Sequence, residues 1–193
     1  KVFSGDFDPI ANAHIVTSTT HKSLRGPRGG IVLSNETELA EYIDKGCPMV
    51  LGCPLANVMA AKAVAFAEAR QPEFREYANN VVTNASALAA GIEKRGGRLV
   101  TGGTDNHLIL VILRNKNLTG SKVEKICEAV NISLNKNAVP GDKSALQPGG
   151  VRIGTPALTS REFKEYDFVT VANLVDEAVQ IAIKIQAKVG KKL

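Results

Sequence analysis

The stretch Val16-Thr17-Ser18-Thr19-Thr20-His21-Lys22-Ser23-Leu24-Arg25-Gly26-Pro27-Arg28-Gly29-Gly30 decides how this chain is read. A β-branched, hydroxyl-rich run, the composition of a strand, stops at a His-Lys pair and passes into a loop of arginines, glycines and one proline. A lysine amine attacks an aldehyde only when neutral, so a reactive lysine needs its pKa lowered. His21, Arg25 and Arg28 place cationic groups close by in sequence, and the hydroxyls before Lys22 suit a polar ring or a phosphate. The same pattern also suits a solvated lysine that simply follows a strand.

Outward from this stretch, Ile15 to Thr20 and Gly30 to Ser34 read as strands. A short helix is expected over 36–45, capped by Ser34 or Asn35, followed by an apolar loop over 47–54 bounded by prolines. Helical spacing runs from Leu55 to Arg95; Pro72 ends one helix and enters the first turn of the next, which Gly96-Gly97 stops. Arg98 to Thr101 predicts a strand, and the apolar run Leu108 to Leu113 predicts one buried on both faces. A helix is expected over 121–130 with Thr119 as N-cap, then short extended pieces at 133–135 and 151–154 around a polar loop, 136–150. Ser160 opens the last helices, of which 168–189 is amphipathic. The composition shift between residues 75 and 97 predicts a boundary, with 1–75 ending a large α/β domain and 76–193 forming a small α+β domain.

Composition limits the function classes. The chain has 193 residues, enough for one good core or two small ones, and its 44% hydrophobic and 22% charged content is that of a globular protein. No apolar stretch approaches the ~20 residues that span a membrane, so no membrane partner is expected. The first residues, Lys1 to Gly5, hold neither an initiator methionine nor a signal-peptide core and read as the middle of something longer. Three scattered cysteines and three scattered histidines argue for reduced thiols in a cytoplasmic protein and against a metal site. The net charge of +5 is dispersed, apart from Lys191-Lys192, and only 5% of residues are aromatic, with no Trp. That combination favours small anions over nucleic acid.

Several segments carry a more specific signal. The lysine stretch is similar to the pattern Thr-Thr-Thr-His-Lys-Thr-Leu-x-Gly-Pro-Arg-Gly-Gly. Further along come Thr101-Gly102-Gly103-Thr104-Asp105-Asn106-His107-Leu108, then Asn115-Lys116-Asn117-Leu118-Thr119-Gly120, Asn135-Lys136-Asn137-Ala138-Val139-Pro140 and Gly150-Val151-Arg152-Ile153-Gly154-Thr155-Pro156-Ala157-Leu158-Thr159. With Pro54-Leu55 through Ala65 as a connecting helix, these resemble, in order and spacing, the serine hydroxymethyltransferases over essentially the whole chain.

The resemblance implies the C-terminal half of an enzyme of aspartate-aminotransferase fold (fold type I): the end of a large α/β domain that binds pyridoxal 5'-phosphate, then the small α+β domain. It implies interconversion of serine and glycine, with tetrahydrofolate as one-carbon acceptor, in a homodimer. Carried over by position, Lys22 is the lysine that holds the cofactor, and His21 lies beside it and bears on reaction specificity. Thr19 and Thr20 are hydroxyls placed either to bond in the same pocket or simply to belong to the strand, and Arg28 braces the loop. Arg152 matches the arginine that holds the substrate carboxylate, for which two parallel guanidinium donors are suited. Asn137 matches a pterin-binding asparagine, and Ser144, Ala145 and Leu146 take the place of a folate-contacting Ser-Pro-Phe, here without the aromatic ring.

The family's phosphate loop, Phe-Pro-Gly-Gly-Gln-Gly-Gly-Pro, reaches into the neighbouring subunit. Here it corresponds to Cys47-Pro48-Met49-Val50-Leu51-Gly52-Cys53-Pro54, where Gly52 keeps a backbone donor and Cys53 reads as a small buried residue. The aspartate that the family places on the cofactor's ring nitrogen lies upstream of Lys1; Asp6 and Asp8 lack its context and are not assigned. By itself this length of chain is therefore expected not to turn over. Two other readings stand beside the first. One is a folate-independent, threonine-aldolase-like lyase, suggested by the Ser-Ala-Leu segment. The other is an inactive portion that serves as a binding or oligomerisation module.

Overall fold

A computed structural model describes residues 8–144 and 146–190. Asp6, Ala145, Lys191 and Lys192 therefore lie outside the described residues. The chain divides into two compact units, Lys1–Arg75 and Glu76–Leu193, built from mixed helices and antiparallel sheets.

The first unit opens on a short helix α1 (Pro9–Asn12). Asp8 is its N-cap, accepting from the Ile10 N–H at 2.9 Å, and Pro9 fits the first turn because it has no N–H to satisfy. Strands β1 (Val16–Thr19) and β2 (Gly30–Leu33) pair antiparallel, with Val16 opposite Leu33 and Thr19 opposite Gly30. The lysine stretch is thus the loop of a hairpin.

Helix α2 (Thr37–Leu51) follows and departs from expectation at both ends. Its N-cap is Glu36, and the Ser34 hydroxyl instead accepts the Glu36 N–H at 3.0 Å while donating to the His14 carbonyl. The expected apolar loop over 47–54 is helical as far as Leu51, with Pro48 inside the helix. Proline's fixed φ is itself helical, so Pro48 removes one bond without ending the helix. Gly52 ends it, turning to φ 79° while its N–H donates to Pro48 O at 3.0 Å. Helix α3 (Ala56–Ala69) buries only Ala65 among its residues.

The second unit contains most of α4 (Pro72–Lys94), β3 (Arg98–Leu99), β4 (Leu108–Ile112), a 3₁₀ turn (Arg114–Lys116) and α5 (Gly120–Ala129). β5 (Asn135–Asn137), β6 (Gly150–Gly154), α6 (Pro156–Thr159) and α7 (Glu165–Val189) complete it. Its sheet is antiparallel throughout, in the order β3-β4-β6-β5. Ile109, Val111, Val151 and Ile153 point to one face, into a core with Leu88 and Ile92 of α4, Val123 and Cys127 of α5, and Phe168, Val175 and Val179 of α7.

β4 is therefore not buried on both faces within its unit: Leu108, Leu110 and Ile112 are only half-buried. A continuous apolar run does not reveal by itself which face a neighbour covers. α4 and α7 come so close at Gly91 that a Cβ there would lie 2.7 Å from Ala172 Cβ. Asn84, buried on α4, donates to Thr159 Oγ1 and Phe163 O, both at 2.9 Å, tying the segment before α7 to that helix. α7 begins three residues before the expected start at Phe168, because Asp167 accepts the Lys164 N–H at 2.8 Å and secures an earlier first turn.

Candidate functional site

In the first unit the hairpin loop is closed at its neck by Thr20. This residue is fully buried, and its Oγ1 donates to Pro27 O at 2.6 Å. Its N–H donates to Gly29 O at 3.0 Å and its carbonyl accepts from the Gly26 N–H at 2.8 Å. Thr20 is thus a brace whose polar groups are all engaged, which fits the structural reading of its hydroxyl rather than the pocket one. Its burial lets three bonds act where water cannot compete.

α3 forms the support beneath. Ala65 packs where a Cβ on Gly26 would lie only 3.1 Å away, and Lys62 Nζ donates to Gly30 O at 2.8 Å. Arg25, at φ 56°, turns the loop and lays its guanidinium 5.6 Å from the Phe74 ring centroid.

Between these braces Lys22 is exposed, and its amine makes no hydrogen bond or ion pair among the described residues. Half-buried His21 accepts from the Gly29 N–H through Nδ1 at 3.5 Å, a long contact. Thr19 sits half-buried at the end of β1, opposite Gly30. Arg28 is exposed and braces nothing among the described residues. Gly52 has committed its N–H to the end of α2, and Cys53 is exposed rather than buried, so both differ from expectation. α2 extends through Leu51, and residues 52–55 after it are all exposed.

In the second unit Arg152 occupies the middle of β6, paired with Leu110 on one side and Asn135 on the other. Its neighbours Val151 and Ile153 enter the core, so period-two alternation sends the Arg152 guanidinium to the opposite face. There it is exposed, with no hydrogen bond or ion pair among the described residues.

Thr155, buried just beyond, donates from Oγ1 to Val81 O at 2.8 Å and from its N–H to His107 O at 3.0 Å. The Thr101–Leu108 segment is a turn held by its own side chains. Thr104 Oγ1 donates to Leu108 O at 2.7 Å, and Asn106 Oδ1 accepts the Leu108 N–H at 3.0 Å.

Asn137 closes β5 opposite Gly150, half-buried, with Nδ2 donating to Ala138 O at 2.7 Å. Ser144 is exposed and its hydroxyl accepts the Leu146 N–H at 3.2 Å; Leu146 itself is 90% exposed. Two carboxylates brace these residues. Glu124 accepts from the Lys136 ammonium at 2.7 Å and from its N–H at 3.0 Å, and the ammonium bond is the main reason its pKa is lowered. Asp142 accepts from the Val139 and Gly149 N–H groups, which hold its carboxyl below the ordinary range, with Arg114 adding to the effect.

The local order of motifs along these elements matches a family model described as serine hydroxymethyltransferase over residues 4–175. The chain belongs to the serine hydroxymethyltransferase family. A serine hydroxymethyltransferase of Mycolicibacterium smegmatis is 57% identical over 93% of this chain, and one of Salinispora tropica is 56% identical over 91%. One of Cutibacterium acnes is 51% identical over 99%. These matches span 36%, 37% and 39% of the relatives' own lengths.

The sequence singled out Lys22 and Arg152, which make no hydrogen bond or ion pair among the described residues, but not the residues that fasten the β5–β6 loop and the segment before α7. Asp142, Arg114 and Asn84 follow no spacing rule that points to their partners. The only available hint was the Pro140-Gly141-Asp142 composition, which marks a turn.

Proposed function

We propose that this chain contributes the lysine-bearing and arginine-bearing parts of an enzyme that interconverts serine and glycine, with tetrahydrofolate as acceptor of the one-carbon unit. The observation that carries the reading is the exposed Lys22 amine, which makes no hydrogen bond or ion pair among the described residues, in a loop whose neck is fastened by Thr20 and Lys62. Such an amine suits the aldehyde of pyridoxal 5'-phosphate. When bound, that group supplies an electron sink for the carbon bonds of an amino acid.

The remaining work falls to the chain's own residues. Lys22 holds the cofactor, and Thr20 and Lys62 hold the loop that presents it. His21, its Nδ1 turned to the Gly29 N–H, keeps Nε2 to orient polar groups beside the cofactor. Arg152 binds the amino-acid carboxylate through two charge-assisted bonds. Asn137, Ser144, Leu146 and the neighbouring Ala145 receive the folate, Ser144 and Leu146 standing at the loop's exposed turn. Thr19 and Cys53 complete the cofactor side, while the Gly52 N–H stays with Pro48 O at the end of α2.

The same reading takes the enzyme to be a homodimer, with the end of α2 at the subunit interface. In support, Met49, Val50 and Leu51 are 76–84% exposed and Leu55 is 66% exposed, an apolar surface that water alone does not favour. Residues 1–75 are then part of the cofactor domain and 76–193 the small domain. A cytoplasmic setting and the absence of nucleic-acid and membrane partners complete the proposal; among the described residues no helix is long and apolar enough to cross a membrane.

Borohydride reduction after addition of pyridoxal 5'-phosphate, followed by peptide mapping, tests the reading. The label is expected on the peptide containing Lys22, and Lys22→Ala is expected to abolish it. A label spread over surface lysines, or retained in Lys22→Ala, would sink the assignment. Arg152→Ala is expected to weaken serine and glycine binding while leaving that label in place.

A further inference from the structure

The polar loop between β5 and β6 is closed by one carboxylate. Oδ2 of Asp142 accepts both the Val139 N–H, at 2.9 Å, and the Gly149 N–H, at 2.7 Å, which joins the loop's entry to its exit. Oδ1 meets Arg114 Nη1 at 3.2 Å, and Arg114 Nη2 donates to Pro140 O at 2.8 Å. The fit is close. A Cβ on Gly149 would lie 2.4 Å from Asp142 Oδ1, and one on Gly141, at φ 87°, would lie 3.2 Å from both terminal guanidinium nitrogens. The Asp142 side chain is only 7% exposed. The exit is further stitched by Leu113 N–H to Gly149 O at 2.9 Å and Gly120 N–H to Pro148 O at 2.7 Å.

Beyond these clamps, among the described residues, the loop is held by its own short turn, where Ser144 accepts the Leu146 N–H and its carbonyl accepts the Gln147 N–H at 3.2 Å. A loop of this length left open samples many conformations, and a ligand that must order it loses affinity accordingly. Asp142 removes that cost before binding, since two N–H groups that would otherwise be free at opposite ends of the loop converge on one oxygen. Arg114 seats the carboxylate from its other oxygen, Nη1 meeting Oδ1 while Nη2 holds the Pro140 carbonyl.

We propose that Asp142, seated by Arg114, is a positioning residue for the folate cosubstrate: it closes the loop and so pre-sets Asn137 and Ser144 for the ligand. The inference rests on the reading above that this loop receives tetrahydrofolate. Asp142 touches no substrate and acts through the backbone it holds.

The test measures tetrahydrofolate affinity by titration in the holoenzyme with glycine present, for wild type, Asp142→Ala, Asp142→Asn and Asn137→Ala. Amide exchange at Val139 and Gly149 is followed in the same proteins. Asp142→Ala is expected to lose roughly tenfold or more in folate affinity, to speed both amides and to leave the KM for serine unchanged. Asp142→Asn keeps an oxygen for both N–H groups and is expected to recover most of the affinity, a rescue that a general loss of stability would not produce. Folate affinity within twofold of wild type in Asp142→Ala, with faster amides, would overturn the inference while leaving the folate reading intact. An unchanged affinity in Asn137→Ala would remove the folate reading itself, and the inference with it. If Asp142→Ala does not fold, the decision passes to Arg114→Gln, which keeps the Asp142 oxygens and is expected to weaken folate binding alone.

Discussion

Replacing Thr20 by valine keeps the side chain's shape and removes one atom's chemistry, the hydroxyl that donates to Pro27 O at 2.6 Å. Thr20 is fully buried, so no water replaces the lost donor at its own position. A buried acceptor left unsatisfied costs about 1–3 kcal/mol. Pro27 is itself only half-buried, so its carbonyl recovers part of its solvation and the lower half of that range applies. The backbone bonds of Thr20 to Gly26 and Gly29 remain, and the loss is therefore local to the loop neck.

About 1–2 kcal/mol converts to roughly five- to thirtyfold faster opening of the loop. Amide hydrogen exchange at Gly26, whose N–H is held by Thr20 O, reads this directly. Thr20→Ser, which keeps the hydroxyl and drops only the methyl, is the control and is expected to stay close to wild type. Should Gly26 exchange at the wild-type rate in Thr20→Val, or equally fast in both variants, the hydroxyl does not hold the neck and the reasoning fails. The same loosening is expected to slow reductive labelling at Lys22.

Two further outcomes are expected in the second unit. Gly120→Ala places a Cβ 2.1 Å from Gly150 O, a backbone atom that cannot step aside, so overpacking of about 1–3 kcal/mol should lower the thermal midpoint by several degrees; an unchanged midpoint would contradict the close approach of α5 and β6. Glu124 has its pKa lowered in the folded state, chiefly by the Lys136 ammonium, so it contributes stability that is present above its ordinary value of 4.5 and is lost as pH falls through the lowered one. Denaturant titrations across that acidic window should therefore show a smaller loss in Glu124→Gln than in wild type, and identical pH profiles would refute the pairing.

What could be read along the chain was what depends on near neighbours in sequence. The strand ending at His21-Lys22, the helix break at Pro72, the stop at Gly96 and the alternation that exposes Arg152 between Val151 and Ile153 all follow from local periods and turn chemistry. Lys22 and Arg152 were singled out by the motifs around them, which lie in contiguous stretches of sequence.

The structure decided what depends on distant partners. Pro48 continues α2 and Cys53 is exposed, whereas the sequence suggested a loop with Cys53 inside. β4 is covered on one face of its unit only, since a run of apolar residues does not say where the helices will lie. Arg114 finds Asp142 28 residues away and Asn84 finds Thr159 75 residues away, separations at which no propensity or spacing rule operates. Local conformation is set by backbone sterics and adjacent side chains, so sequence determines it. Burial and long-range hydrogen bonds exist only after chain folding has brought remote segments together, and so the identity of the residues that hold the site belongs to the tertiary structure.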